Sequence, residues 1–443
     1  MEPGLTAGGA PVSCLNFLPK TLADWLAHLE AQHPQGVAGI ELGLERVRAV
    51  SQVLAQRQTV PVITVAGTNG KGSTCAMLER ILACAGYRVG LYTSPHLLAY
   101  NERVRIGARP VEDAALCEGF TRVEAARGVV KLTYFEFGTL AAWECFAAAG
   151  VDVVVLEVGL GGRLDATNIY AADCAVVTAI DIDHTDFLGT TREQIGYEKA
   201  GIFRPGRPAI CADAQPPQSL LAHVASIGAD LRLIGRDFGY QRQEGQWQFW
   251  VRDGESENIS RRSGLAYPGL RGAVQLRNAS AALAALAALQ ERLPVAMQDI
   301  RRGLLEVELP GRFQVLPGRP TLVLDVAHNP QAARVLADNL GSMAFHAETW
   351  AVFGMLRDKD IAGVVRALTG RVTRWLPCSL SGARAASSTD LARILGQEHI
   401  EPCLQFASPH EAFLHAQENA GEDDRIIVFG SFLTVADVLR RLA

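Results

Sequence analysis

The chain has 443 residues, which is too many for one hydrophobic core, so we expect two domains. Its 20% charged residues are typical of globular proteins, and its net charge of −5 without a basic block argues against nucleic-acid binding through a charged face. Nine cysteines without a CxxC pair and an N-terminus without a signal-peptide pattern predict a cytoplasmic protein with free thiols and no membrane association.

We expect residues 1–20 to form a flexible tail, and the first informative feature is a glycine-rich turn. An apolar run from Val62 ends in Gly-Thr-Asn-Gly-Lys-Gly-Ser-Thr at 67–74, and a helical pattern follows at once. Glycines let backbone N–H groups surround an anion, and a helix N-terminus adds partial positive charge. Lys71 can reach the outer phosphates and a hydroxyl can bind the accompanying metal ion. The pattern predicts a nucleoside triphosphate site, with a plain glycine turn as the alternative, since Gly72 separates the lysine from the hydroxyl.

Apolar strands then alternate with helical patterns, which is typical of a parallel sheet covered on both faces. The predicted strands are 61–65, 89–92, 151–157, 175–180 and 208–211, and the predicted helices are 73–84, 137–149 and 194–201. The alternating segment 240–251 predicts an antiparallel hairpin, and a helix is expected from Asn278 to about 292. Residues 213–265 match no motif that we can place.

A break at Leu309-Pro310-Gly311 divides the chain into predicted domains 1–309 and 310–443, after which the alternation restarts. The second domain's predicted strands are 321–326, 349–353, 371–376 and 425–429, and its predicted helices are 330–340, 360–368, 410–419 and 432–442. The expected fold class is α/β, with a P-loop ATPase-like parallel-sheet domain followed by a smaller, Rossmann-like α/β domain.

Polar residues stand at the carboxyl ends of the predicted strands, where ligands of open parallel sheets bind. Ser94 follows the second strand and Glu157 ends the third. A carboxylate at the end of a buried strand is costly without a partner, and Mg²⁺, which prefers oxygen ligands, would compensate it. The alternative is a turn cap or a pair with Arg163. In the second domain, Asp325 and His328 follow the first strand.

Three further features each have a plain structural interpretation. His184 has acidic neighbours in the sequence. A role as a metal ligand or a titrating group is therefore as credible as a structural role in which the ring is only hydrogen-bonded. Lys199 lies late in a predicted helix, where the helix dipole favours a cation. The aromatic segment 133–137 could stack on a planar heterocycle, although a core anchor is the simpler interpretation.

Seven motifs occur in chain order: GTNGKGS at 67–73, TSPH at 93–96, LEVGLGGRLDATN at 156–168, DHTDFLG at 183–189, EKAGI at 198–202, PGRF at 310–313 and DVAHNP at 325–330. Together they resemble the dihydrofolate synthase/folylpolyglutamate synthase family of the Mur ligase superfamily, from about Ile40 to the C-terminus. The resemblance implies that ATP phosphorylates the carboxylate of dihydropteroate or the γ-carboxylate of a folate. The amine of L-glutamate then attacks the acyl phosphate, and an amide, ADP and phosphate result.

The resemblance also implies roles for individual residues. The implied catalytic residues are Lys71, Glu157, His184, Lys199, Asp325 and His328. The implied ATP contacts are Thr68, Asn69, Gly70, Lys71, Gly72, Ser73, Asn278, Arg312 and Asp325. Two Mg²⁺ ions are expected, with Ser94, Glu157, His184 and Lys199 as ligands, the last as a carbamate, which replaces the helix-dipole interpretation. The implied dihydropteroate or folate contacts are Ile40, Glu41, Leu42, Thr133, Tyr134, Phe135, Glu136, Leu164, Asp165 and Ala166. Lys359 and Ser431 are assigned to the second-domain side of a site in the cleft between the domains.

Other functions share parts of this pattern. A cell-wall Mur ligase needs a further N-terminal domain, whereas only about 60 residues precede Gly67. A GTPase-type switch needs an Asn-Lys-x-Asp motif, which the sequence lacks. A synthase that forms only one of the two amides stays open. Because the sequence has no coiled-coil pattern, we expect a monomer whose partners are small molecules: dihydropteroate, folates, L-glutamate and ATP.

Overall fold

The structure is a computed structural model that describes residues 19–32, 39–252, 258–401 and 404–442. Nearly all of the predicted tail, together with Cys14 and Cys403, therefore lies outside the described residues. The seven described cysteines are free thiols, in keeping with their odd number and even scatter in the sequence. Among the described residues, every helix is too short or too polar to cross a membrane.

The N-terminal part is built around an eight-stranded sheet. Its strands are β1 (Val62–Ala66), β2 (Val89–Tyr92), β3 (Val104–Ile106), β4 (Arg109–Pro110), β5 (Val153–Glu157), β6 (Cys174–Val177), β7 (Pro208–Cys211) and β8 (Asp230–Leu233). Their order across the sheet is β4-β3-β2-β5-β1-β6-β7-β8. The six strands from β2 to β8 pair in parallel, and the short strands β3 and β4 add an antiparallel edge.

Helices cover both faces of this sheet. They are α1 (Leu22–Gln32), α2 (Glu45–Val53), α3 (Lys71–Cys84), α4 (Asp113–Arg127), α5 (Tyr134–Ala149), α6 (Thr185–Leu188), α7 (Arg192–Ala200), α8 (Gln218–Ile227), α9 (Gln275–Ala288) and α10 (Met297–Glu306). Along β5, Val153 and Val155 pack with α3 and α9, whereas Val154 and Leu156 pack with α5. Because both faces are buried, the strand is apolar at every position before its last residue.

A separate three-stranded antiparallel sheet covers the outside of α9. Its strands are β9 (Phe238–Gln243), β10 (Gln246–Arg252) and β11 (Ile259–Leu265). The predicted hairpin is confirmed, with Gly245 at φ +69° in its turn. Trp247 and Phe249 point into the core with α9 and are fully buried. The third strand extends the hairpin into a segment where the sequence showed no motif.

The C-terminal part is a five-stranded sheet with helices on both sides. Its strands are β12 (Gln314–Leu316), β13 (Thr321–Leu324), β14 (Thr349–Phe353), β15 (Arg374–Pro377) and β16 (Arg425–Phe429), in the order β12-β13-β16-β14-β15. Its helices are α11 (Pro330–Ser342), α12 (Ile361–Leu368), α13 (Ser388–Gln397), α14 (Pro409–Asn419) and α15 (Phe432–Leu442). Only β12 runs antiparallel. The predicted α/β fold class is confirmed.

The two parts contact each other through loops at the carboxyl ends of their strands. The loop after β2 reaches across, and Leu97 packs among Leu324, Val326 and Val435 of the second sheet and its helix α15. The loops after β1, β5 and β6 therefore face the loops after β13 and β16. This arrangement places the polar segments that follow the strands around one space between the two sheets.

Candidate active site

A cavity of about 630 Å³ lies between the two sheets. The first part of the chain contributes the glycine-rich loop, Glu157 and Asn278, and the second part contributes Arg312 and Asp325. These residues were predicted to share a cleft although they come from both sides of the break in the sequence. The structure brings them together around the same space.

The glycine-rich loop wraps the N-terminus of α3. Gly70 precedes the helix at φ +94°, and a Cβ atom there would lie 2.6 Å from Asn278 Oδ1. The Lys71 ammonium donates to the Gly67 carbonyl oxygen at 3.0 Å, so it folds back over the loop. The Thr74 hydroxyl donates to the Gly70 carbonyl at 3.0 Å and ties the loop to the helix. The loop thus offers backbone N–H groups at a helix N-terminus together with one lysine ammonium, a combination that suits phosphate.

Thr68 and Asn69 hold this loop in place. The Thr68 hydroxyl donates to the Asp181 carbonyl and accepts from the Asp181 N–H, both at 3.0 Å. The Asn69 amide donates across the cleft to Asn329 Oδ1 at 3.2 Å and to Gln331 Oε1 at 2.5 Å. These two side chains are engaged with protein, so direct ATP contacts from them stay predictions.

Glu157 lies at the end of β5, beside the loop. It is 4% exposed, accepts a short hydrogen bond from the Thr93 hydroxyl, and accepts from the Ser94 N–H at 3.4 Å. A Cβ atom on Gly72 would lie 3.7 Å from Glu157 Oε2, so the carboxylate lies directly beside the backbone of the glycine-rich loop. Within the described residues Glu157 has no ion-pair partner, and the alternative pair with Arg163 is wrong because Arg163 pairs with Glu198.

The donors around Glu157 fit a divalent cation. A buried carboxylate and the hydroxyls of Thr93 and Ser94 are hard oxygen donors, the type that Mg²⁺ prefers. Thr93 was missed at the sequence level, although it directly precedes Ser94 at the same strand end. The described part of the chain contains no group of three or more His, Cys, Asp or Glu side chains that could hold a metal by themselves. A metal bound here would therefore depend on hydroxyl and phosphate oxygens as well.

His184 is a neutral imidazole that lies close to two charged side chains. Burial lowers the pKa of His184 to about 4, with Asp183 opposing the shift and Lys359 adding to it. The Lys359 ammonium lies 2.7 Å from Asp183 Oδ1 and 3.5 Å from His184 Nε2. A neutral imidazole is the form that binds metals. Lys359, predicted for the second-domain side of the site, therefore approaches the ring nitrogen that a metal would need.

Lys199 is buried rather than solvated at the end of α7. It is 3% exposed, and burial together with the nearby Lys71 ammonium lowers the pKa of Lys199 to about 7. Within the described chain, its ammonium makes neither a hydrogen bond nor an ion pair. The helix-dipole interpretation is insufficient, because a solvated helix-end lysine keeps its charge whereas this amine is largely neutral above pH 7.

The second domain contributes an arginine and a carboxyl group. Asp325 accepts from the Phe313 N–H at 2.8 Å and the Ala327 N–H at 2.7 Å, and burial raises the pKa of Asp325 to about 6. The Arg312 guanidinium lies 4.8 Å from the centre of the Phe432 ring, and burial lowers its pKa while Asp325 opposes the shift. A cation held over an aromatic face is well placed to meet a polyphosphate.

His328 and Ser431 complete this wall of the cavity. His328 Nδ1 lies 2.8 Å from the Val326 carbonyl oxygen, and burial lowers the pKa of His328 to about 4. Ser431 follows β16, is 5% exposed, and accepts from the Leu433 N–H at 3.2 Å. Both residues line the cavity, and their roles in the reaction stay predictions.

The segments predicted to bind the acceptor lie next to one another. The Gly43 N–H donates to the Leu164 carbonyl at 3.3 Å, and Arg46 pairs with both Glu41 at 3.1 Å and Glu136 at 2.9 Å. Tyr134 lines the 630 Å³ cavity, whereas Ile40 lines a second cavity of about 750 Å³ that shares His184 and Lys359 with the first. The other predicted acceptor contacts belong to the same three segments and are Leu42, Thr133, Phe135, Asp165 and Ala166.

Two carboxylates in these segments are occupied by the protein itself. Glu136 accepts from the Thr133 N–H at 2.8 Å and caps the start of α5, so the aromatic segment forms the first turn of that helix. Asp165 accepts from the Gly159 N–H at 3.0 Å and the Leu160 N–H at 2.9 Å. Both carboxylates accept from backbone N–H groups and so hold the wall of the site in place. Contacts between these carboxylates and the acceptor stay predictions.

Comparisons with known proteins match nearly the whole chain. The family described as "Mur ligase middle domain" matches residues 65–286, and "Mur ligase, glutamate ligase domain" matches 311–432. The dihydrofolate synthase/folylpolyglutamate synthase of Escherichia coli (strain K12) is 45% identical over 419 residues, which covers 94% of each chain.

Solved structures show the same likeness. E. coli FolC in complex with DHPP and ADP superposes with a TM-score of 0.88 at 44% identity, covering 96% of this chain and 98% of that one. A bifunctional folylpolyglutamate synthase/dihydrofolate synthase with Mn, AMPPNP and L-glutamate bound has a TM-score of 0.87 at 46% identity, with coverages of 96% and 100%. The space between the two sheets thus has counterparts in proteins solved with nucleotide, metal and amino acid.

Proposed function

Because the chain belongs to the Mur ligase family, within its dihydrofolate synthase/folylpolyglutamate synthase group, we propose that it performs the reaction of that group. It is an ATP-dependent ligase that joins L-glutamate to dihydropteroate and to the γ-carboxylate of reduced folates. The observation that carries this function is the cavity itself, where the glycine-rich loop and Glu157 face Arg312 and Asp325 across the cleft.

The reaction needs a nucleotide held by cations and an acceptor carboxylate placed at its γ-phosphate. The loop N–H groups bind the phosphates, and Lys71 turns from the Gly67 carbonyl towards the transferring phosphoryl group. Arg312 adds positive charge from the second domain. The acceptor carboxylate oxygen bonds to the γ-phosphorus as ADP leaves, which gives an acyl phosphate.

L-glutamate then completes the amide. Its neutral amine attacks the acyl carbon, phosphate leaves, and the amine proton passes to a base. The departing phosphate is basic enough to take that proton, whereas burial lowers the pKa of His328 to about 4, so His328 is assigned to binding on the cavity wall. The acyl phosphate must be kept from water, and closure of the two parts of the chain over the cleft would provide that exclusion.

Divalent metal ions fit this site through Ser94, Glu157 and His184. When bound, they neutralise phosphate charge and orient the γ-phosphoryl group. His184 is available as a neutral ligand, while Glu157 supplies the negative charge that a cation requires. Lys359 must withdraw from His184 Nε2 for that nitrogen to coordinate.

Lys199 contributes a further anion after carboxylation. Its neutral amine adds to CO₂, an N–C bond forms and one N–H proton passes to solvent, so the buried neutral amine becomes a carbamate anion. A pKa of about 7 leaves a large neutral fraction for this step. The lack of a hydrogen bond to the Lys199 amine within the described residues leaves it free to react.

The partners of this protein are the small molecules of the reaction, and we further propose that it acts as a monomer in the cytoplasm. Free thiols and a net charge of −5 without a basic block support this assignment. Both activities then use the one site of a single chain.

The test is ADP release with L-glutamate and each acceptor in turn. Turnover with dihydropteroate supports the synthase activity, and turnover with tetrahydrofolate supports polyglutamylation. Turnover with only one of them assigns a single-function enzyme, and turnover with a UDP-muramyl acceptor instead would move the chain to the cell-wall ligases. Omission of L-glutamate is the control, since ADP release must then fall to background.

A further inference from the structure

Arg277 is a cation on the cavity wall to which no role has been given. It lies in the first turn of α9 and lines the 630 Å³ cavity. Its Nε is buried without a hydrogen-bond partner, and nowhere in the described chain does the guanidinium have a hydrogen bond or an ion pair. An unsatisfied buried donor costs free energy in the folded state. The arrangement therefore favours a partner from outside the protein.

Three other cations that line the cavity are already engaged. Arg103 donates to His96 Nδ1 at 2.8 Å, and Arg384 pairs with Asp358 at 2.6 Å. Arg312 lies over the Phe432 ring. Arg277 stands apart from these three because the described protein supplies it with no compensating group.

The position of Arg277 shows which part of a nucleotide it can meet. The next residue, Asn278, lies against Gly70 of the phosphate loop. Three residues before Arg277, Val274 lines the same cavity as Ala332 and Val335 of α11, and the Ala273 N–H donates to Asn339 Oδ1 of that helix at 3.2 Å. Apolar side chains of this kind suit a planar base. A nucleotide with its terminal phosphates at the loop and its base against these apolar residues would pass Arg277 at its α-phosphate.

We propose that Arg277 binds the α-phosphate of the nucleotide, an inference that rests on the proposed function. The loop N–H groups and Lys71 approach the phosphates from the N-terminus of one helix, and Arg277 adds a cationic donor from the first turn of α9 beside it. A guanidinium offers a charge-assisted and potentially bidentate contact to phosphate oxygens. The same contact satisfies the Nε–H that is buried without a partner.

The test measures nucleotide affinity in the Arg277→Gln variant of the full chain by displacement of a fluorescent ADP analogue. Hydrogen bonds to charged groups contribute about 1.5 to 3 kcal/mol, so ADP and AMP should both bind about ten- to hundredfold more weakly. Adenosine, which lacks the phosphate, should bind the variant as it binds the wild type. Arg277→Lys should recover part of the loss, because it keeps the charge without the planar fork.

Arg301→Gln is the matched control, since Arg301 lies exposed on α10 and donates only to the Ser263 carbonyl at 3.3 Å. Unchanged ADP affinity in Arg277→Gln would overturn the proposal. Loss for ADP alone would move the contact to the β-phosphate, and equal loss for adenosine would indicate a structural role; either result contradicts the α-phosphate assignment. If wild-type protein fails to bind ADP at all, the proposed function fails instead.

Discussion

Lys71 and Glu157 carry the opposite charges on which phosphoryl transfer depends. Lys71→Ala removes a cation that now contacts only loop carbonyls, and Glu157→Ala removes a carboxylate without an ion pair in the described chain. We expect both variants to lose ADP formation by at least a hundredfold, on the scale of one transition-state contact. A coupled-enzyme assay of ADP measures this loss. Circular dichroism melting checks that both variants stay folded.

Lys131→Ala is the control for that experiment because Lys131 is exposed and outside the cavity. It should keep wild-type turnover and melting temperature. Near-normal turnover in either Lys71→Ala or Glu157→Ala would show that the assigned roles are wrong.

His184 tests whether the imidazole binds metal. Its pKa of about 4 means that the ring is neutral throughout the physiological range, so it can coordinate without losing a proton. His184→Ala should lower turnover at low Mg²⁺, and raised Mg²⁺ should restore part of it. Mg²⁺ titrations of both proteins check this, and identical metal dependence would count against ligation.

Lys199 should show its carbamate directly. Because burial lowers the pKa of its amine to about 7, the reactive neutral form dominates at pH 8 and is scarce below pH 6. Protein equilibrated with ¹³C-bicarbonate should give a carbamate ¹³C signal at pH 8 that fades towards pH 6. Lys199→Arg should give no such signal, and an equal signal in that variant would place the carbamate elsewhere.

At this scale the sequence predicted the groups that carry chemistry but not the pairs they form. Glu157 and Asp325 could be identified because each is a carboxylate at the end of an apolar strand. The pair of Asp183 with Lys359 joins residues 176 positions apart, and no local pattern predicts such a contact. Arg277 was overlooked because its lack of a partner shows only in the folded structure.

Helix α3 is flanked by two glycines with nearly the same left-handed backbone. Gly70 has φ +94° and is crowded by Asn278, whereas Gly86 has φ +91° and open space around its Cβ position. A side chain in this conformation costs about 1 to 2 kcal/mol. Gly70→Ala and Gly86→Ala should therefore both lower stability, but only Gly70→Ala should also weaken ADP binding. Equal ADP affinity in the two variants, measured by calorimetry beside urea unfolding, would contradict the role of the loop.

Elements buried on both faces were the easiest to predict, since β1, β5 and β16 are almost wholly apolar. The short edge strands were missed because β8 and β12 have four and three residues and no apolar run. Helix α4 was also missed, although its buried Leu116, Phe120 and Val123 follow helical spacing and could have been found. Strand β6 ends at Val177, earlier than predicted, because the chain turns towards the phosphate loop at Thr178. The Thr178 hydroxyl donates to the Asn69 carbonyl of that loop.

A buried ion pair joins the two halves of the molecule. Lys359 and Asp183 have side chains only 8% and 11% exposed, and Asn329 donates to the same carboxylate at 3.1 Å. Removing one partner of a buried pair typically costs about 3 to 5 kcal/mol, because the other charge stays buried. Lys359→Met should therefore lower the free energy of unfolding by about 3 kcal/mol and reduce turnover.

Arg384→Met is the matched control, because its partner Asp358 belongs to the same domain and both side chains are at least one-third exposed. That variant should lose no more than about 1 kcal/mol in urea unfolding. Similar losses in the two variants would show that the contact between the domains contributes no special stability.

The account depends most on the claim that ATP activates the acceptor carboxylate within the cleft. Dihydropteroate with both carboxylate oxygens labelled with ¹⁸O tests it, because one of those oxygens attacks the γ-phosphorus and leaves with it. Mass spectrometry of the products should find one ¹⁸O atom in each phosphate released and one in the amide carbonyl of each dihydrofolate formed. Phosphate without ¹⁸O, at full turnover, would contradict the acyl phosphate and with it the assigned function of the site.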